Sequence, residues 1–213
     1  MRLLTRSYFI ILPLFFVVAC SNKENKPVEN GIAPSKDSSK IKAPVKNENP
    51  YVIVDISPMD MSYYPADYPI LKMKKDINTD PLARVIYSRP HLQGRQLFHD
   101  LLKYGEPWRL GANESTELDL YTDAFILDKK IKAGRYILYC IPEQDNWTII
   151  INSNIDSWGL HPDSTKDIAR FIIPIKQTIN HLEYYTMTFE KTNDGADLLM
   201  AWDNLEAKLP FRF

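Results

Sequence analysis

Beyond residue 80 the chain is built of short apolar runs broken by turn residues. LARVIYS (82–88), ELDLYTD (117–123), AFILD (124–128), RYILYCIP (135–142), WTIIINS (147–153), ARFIIPIK (169–176), LEYYTMTFEK (182–191), DLLMAWDN (197–204) and AKLPFRF (207–213) carry the period of two, or the β-branched and aromatic enrichment, of pleated strands. In YTMTFEK, Tyr185, Met187 and Phe189 share one face and Thr186, Thr188 and Glu190 the other, as in a sheet with one buried and one wet face. Short strands separated by Gly, Asn, Asp and Pro predict a mainly β fold, an antiparallel β-sandwich or jelly roll.

One helical signal interrupts this pattern. RQLFHDLLKYG (95–105) sets Leu97, Phe98, Leu101 and Leu102 on one face, with Gly105 as a stop and Pro107 beyond, which predicts one short amphipathic helix. Upstream, YVIVDIS (51–57) is β-rich, whereas MDMSYYPADYP (59–69) mixes aromatics, Met, acids and Pro. Residues 51–81 therefore read as an irregular N-terminal extension and 82–213 as the β-sandwich domain.

The first fifty residues differ in kind. Arg2 and Arg6 precede the apolar run YFIILPLFFVVA (8–19), which is too short to span a hydrocarbon layer that takes about 20 apolar residues. That is the layout of a secretory signal peptide over 1–19. Its ending VVAC (17–20) resembles a bacterial lipobox, with Val17 in place of the usual Leu, so Cys20 is the expected lipidation site. The lipid would be the link to a membrane, and Ser21 in the next position favours the outer one. Residues 21–50 hold six Lys, four acids, four Pro and no aromatic residue; with Cys20 they read as a disordered tether, unable to bury enough apolar surface to order itself.

Charge and cysteine content narrow the function. Cleavage after residue 19 takes two of the 26 basic side chains and none of the 27 acidic ones, leaving a net charge of −3. No clustered basic face for nucleic acid is evident. Once Cys20 is lipidated only Cys140 remains, so no internal disulfide is expected. Cys140 lies in an apolar run with no base nearby and reads as a core residue rather than a nucleophile. The four histidines lack metal-ligand spacing, and no nucleophile elbow or phosphate loop is present. Neither a cofactor nor a metal is expected.

SRPHLQGR (88–95), YGEPWRLGANEST (104–116), KAGRYILYCIP (132–142), WTIIIN (147–152), SWG (157–159) and AWDN (201–204) occur in that order. Together they resemble the blocks of domain-of-unknown-function family 2911, found in secreted and lipid-anchored bacterial proteins. HDLL (99–102) departs from the small, Gly-containing segment typical there. The resemblance implies a domain over about 82–213 and an envelope location, and brings no activity with it.

The candidate site is the polar group Arg89, Arg95, Trp108, Arg109, Asn113, Glu114 and Thr116, in segments connecting strands. Arg109 is suited to grip a carboxylate, phosphate or sugar hydroxyl, with Trp108 as a stacking face and Asn113 as a neutral donor and acceptor. The structural alternative pairs Glu114 with Arg109 or Arg95, gives Gly111 a positive φ and folds Asn113 onto its own turn. Three functions stay open: a non-catalytic module binding a glycan or an envelope protein; a hydrolase of envelope glycan or peptide polymers, with Glu114 as acid or base; and a purely structural envelope protein.

Overall fold

The computed structural model describes residues 51–52, 55–75 and 78–213; the leader, Cys20 and the tether lie outside them. Among the described residues nine strands form the fold: β1 Met59–Tyr64, β2 Ala83–Ser88, β3 Thr116–Leu120, β4 Ala124–Ile126, β5 Lys129–Ile131, β6 Gly134–Pro142, β7 Asn146–Asn152, β8 Asp167–Lys191 and β9 Gly195–Arg212. They make one open sheet in the order β1-β2-β3-β6-β7-β8-β9-β4-β5, with every pairing antiparallel. The mainly β, antiparallel expectation holds.

A single sheet can enclose a core here because its two longest strands bend. β8 pairs β7 through its first half and β9 through its second, and the β8–β9 register slips twice between Gln177 and Thr186. In that slipped stretch β8 turns its backbone to another partner: Leu92 N–H donates to Glu183 O (3.0 Å) and Tyr185 N–H to Pro90 O (2.9 Å). Asp203, opposite the bulge, takes φ +55°. Bulges of this kind increase bend and twist. The bend carries the far half of β8 against β1, where Ser62 Oγ accepts from Phe189 N–H (3.1 Å). One core results, joining Val85, Leu118, Leu138, Ile149, Phe171, Met187 and Phe211 from six strands of the sheet and both halves of the bent pair.

At the centre of that core stand four aromatic rings. Trp108 meets Trp147 and Tyr185 edge-on at 5.9 and 4.9 Å, and Trp202 lies tilted by 26° at 5.8 Å. Each such contact contributes roughly 0.5–1.5 kcal/mol beyond its area.

Three sequence expectations are corrected. The short amphipathic helix over 95–105 is a single π-type turn, Leu97–Leu101. Its flanking residues Gln96 and Leu102 are extended, and Asp100 turns its carboxylate back to cap Gln96 N–H (2.8 Å), so the turn closes on itself before a helix can propagate. Leu97 and Leu102 still reach the core, which is what the apolar spacing recorded. The irregular extension is ordered in part: β1 joins the sheet and a six-residue helix, α1 Tyr68–Met73, follows it. Finally, the run at 51–57 contributes no strand among its described residues.

Candidate functional site

The segment before β3 is held against the end of β6. Trp108 N–H donates to Cys140 O (2.7 Å), Cys140 N–H returns to Trp108 O (2.8 Å), and Gly105 N–H reaches Pro142 O (2.9 Å). Trp108 is thereby pinned, and its indole N–H donates to Gly111 O (3.2 Å). The chain then turns sharply through Leu110 and Asn113, both with positive φ (55° and 60°). Gly111, expected there, has no positive φ. Its requirement is closeness: a Cβ would stand 3.0 Å from Ser88 O.

A second loop closes on this one. Ser115 Oγ donates to Ser157 O (2.7 Å), and Arg109 donates through Nη1 to Trp158 O (3.0 Å) and to Asn113 O. Gly159 makes the approach possible, because at φ +81° its Cβ position lies 2.5 Å from Ser115 Oγ. The SWG and GANEST segments, more than forty residues apart, are thus one structural unit.

Beside this unit lies a cleft of about 540 Å³. Its charged lining is Arg95, Lys103 and Arg109 with Asp55 and Glu106; Pro90, Leu101, Leu102 and Trp202 give it apolar walls, and Ile56 and Leu160 remain 65% and 55% exposed on it. Asn113, Gly111 and Gly159 also border it. Four of the sequence blocks that carried the resemblance contribute: 88–95, 104–116, 157–159 and 201–204.

The seven candidate residues divide. Arg95, Trp108, Arg109 and Asn113 line the cleft together. Arg89 does not: it ties β1 to β8, through Nη1 to Asp60 Oδ2 (3.1 Å), Nε to Tyr185 O (3.2 Å) and Nη2 to Thr186 Oγ1 (2.8 Å). Thr116 is fully buried, its hydroxyl donating to Leu110 O (2.8 Å). Glu114 is exposed and faces a separate recess of about 210 Å³ with Glu117 and Asp156. Glu114 and Arg109 thus line two different recesses. Trp108 is no open stacking face either, since Trp147, Tyr185 and Trp202 enclose it.

The ion pairs foreseen for this loop form elsewhere. Asp119, nearly buried on β3, takes Arg84 from β2 and Arg135 from β6 (Nε–Oδ1 3.1 Å). Among the described residues no carboxylate lies within 4 Å of Arg95 or Arg109. Arg95 is bound by carbonyls, Nε to Leu92 O (2.8 Å) and Nη2 to His91 O (2.9 Å). Burial without a counter-ion holds the pKa of Arg109 below its ordinary value. Asn113, expected to fold onto its own turn, donates its amide to Asp55 Oδ2 instead.

Sequence reasoning missed Asp55, Lys103, Glu106, Leu160 and Trp202 as cleft residues. Of these, Glu106 falls in the 104–116 block and Trp202 in AWDN, segments of the resemblance with no role attached; Leu160 directly follows SWG, and no block covers Asp55 or Lys103. Cys140 is a buried core thiol whose pKa is pushed up by burial. Among the described residues no group of three or more His, Cys, Asp or Glu is placed to hold a metal, and no helix is long and apolar enough to cross a membrane.

The family model described as "Protein of unknown function (DUF2911)" matches residues 69–211, so the chain belongs to that family. The match begins inside α1, ahead of the boundary at 82 that the strand pattern suggested. No curated protein matches the chain, and no solved structure does.

Proposed function

We propose that this member of the family of unknown function is an outer-membrane lipoprotein, tethered by lipid on Cys20, whose folded part is a non-catalytic module binding an envelope component through the cleft. The observation that carries the binding reading is the convergence of four distant sequence segments on one cleft whose two arginines keep uncommitted donors. The tether supports anchoring: 30 residues reach at most about 100 Å when extended, enough to stand the module off a bilayer.

One observation favours the structural reading. Arg109 bridges Asn113 O and Trp158 O and so braces two loops. The two readings separate experimentally. Solubilised envelope, split into glycan and protein fractions, is passed over the full chain and over its Arg109→Ala and Asn113→Ala variants, with thermal unfolding of each recorded. Binding predicts capture by the wild type that both variants lose while remaining folded. Equal capture by all three, with Arg109→Ala melting lower, would establish a brace and nothing more. Radiolabelled lipid incorporated by the wild type and not by Cys20→Ala tests the anchor.

A further inference from the structure

The donors left over in the cleft narrow its ligand. Arg109 spends Nη1 on two carbonyls, which leaves Nε–H and Nη2–H, the edge that meets a carboxylate side-on with two parallel hydrogen bonds. Arg95 spends the opposite set, Nε and one Nη2 hydrogen, and keeps Nη1. Lys103 is answered by Glu106 at 3.4 Å, so the two arginines supply the unpaired positive charge of the lining. A carboxylate already sits against this wall: Asp55 accepts from the Asn113 amide and from Ser57 N–H (2.7 Å).

The rest of the lining is mixed: the neutral polar side chains Ser57, Gln93 and Asn113 stand beside an apolar wall. Pro90, Leu101, Leu102 and Trp202 form it, with Leu160 and Ile56 exposed at its edge. A sugar favours an open aromatic face on which to stack, and here the indole of Trp108 is enclosed. A carboxylate next to an apolar side chain meets both halves of the lining.

Resting on the reading of the cleft as a binding site, we infer that it receives a peptide through its C-terminal carboxylate, gripped by Arg109 and Arg95, with an apolar terminal side chain lodged against Leu101, Leu102 and Leu160. Among the described residues Arg109 has no carboxylate within 4 Å, so a ligand carboxylate would supply the counter-ion that its part-buried guanidinium lacks.

The test is a titration of the full chain, followed at the indole N–H resonance of Trp108, which is fixed to Gly111 O in the cleft wall. Three probes are compared: acetyl-Ala-Leu as free acid, the same dipeptide as its C-terminal amide, and a trigalacturonate. The expected result is at least about tenfold tighter binding of the acid than of the amide, as for a charged hydrogen-bond pair. Arg95→Gln and Arg109→Lys should each remove most of that difference, the lysine because it keeps the charge and loses the two-donor edge. Arg95→Gln guards against a folding artefact, because Arg95 does not bridge the two loops.

Equal binding of acid and amide, tighter binding of the trigalacturonate, or no shift with any probe overturns the inference. Its failure is distinct from failure of the binding reading. If envelope capture is still lost in the cleft variants, the cleft binds something other than a peptide carboxylate; if capture is unaffected by them, the binding reading itself falls.

Discussion

Tyr87 and Tyr185 meet edge to face at 5.7 Å inside the core, yet their hydroxyls differ in circumstance. Tyr87 donates to Met187 O (3.1 Å), whereas the fully buried Tyr185 hydroxyl has no partner among the described residues. An unmade buried hydrogen bond costs about 1–3 kcal/mol, while one that is made contributes about 1 kcal/mol. Tyr185→Phe should therefore leave stability unchanged or raise it, and Tyr87→Phe should lower it by about 1 kcal/mol, both read from urea unfolding midpoints. Tyr87 also sets a pH dependence. Burial pushes its pKa from 10 up to about 12, and Tyr139, buried and hydrogen-bonded to Asp167, reaches about 12 as well. Because the folded state holds these protons more tightly than the unfolded chain, their contribution is complete below pH 10 and is lost as pH rises toward 12. Stability measured from pH 9 to 12 should fall, less steeply in Tyr87→Phe; a flat profile would contradict the assignment.

Among the elements, the bent β8–β9 pair decides the architecture. Gly195 and Phe211 belong to the same strand and would lie roughly 50 Å apart if it ran straight, yet a Cβ on Gly195 would sit 1.9 Å from Phe211 O. That atom is backbone and has little freedom to retreat, so Gly195→Ala should cost at least about 2 kcal/mol in denaturant unfolding. An unaltered midpoint would mean that the two halves of β9 do not meet as described. This fold-back is also where sequence reading stopped. Alternation marked the halves correctly, with Tyr185, Met187 and Phe189 buried as read. The polar stretch Gln177 to His181 looked like a turn between separate strands, but it is a bulge through which β8 continues. β1 escaped notice for a related reason: its Met59 and Met61 point outward, while the inward side carries Asp60 and Ser62 to serve Arg89 and Phe189 N–H. A period that places polar groups inward and methionines outward does not register as a strand.

For the molecule as a whole, the site was half legible. Scarce Gly, Arg and Asn in one loop pointed to Arg109 and Asn113, and both line the cleft. The partners that complete it, Lys103, Leu160 and Trp202, come from a turn, a loop and a core strand whose proximity is created only when the sheet curls. Glu114 and Thr116, two residues apart, both leave the cleft: Glu114 lines the separate recess, and Thr116, the first residue of β3, is buried with its hydroxyl on Leu110 O. The proposed function makes a spatial demand: an envelope ligand should occupy the face built by residues 103–113 and 157–160. Hydrogen–deuterium exchange of the full chain with and without solubilised envelope measures this directly. The account predicts slowed exchange in 103–113 and 157–160, abolished by Arg109→Lys, with no change in 168–176, where Ile172 is exposed. Protection confined to 168–176, or none in the cleft segments, would contradict it.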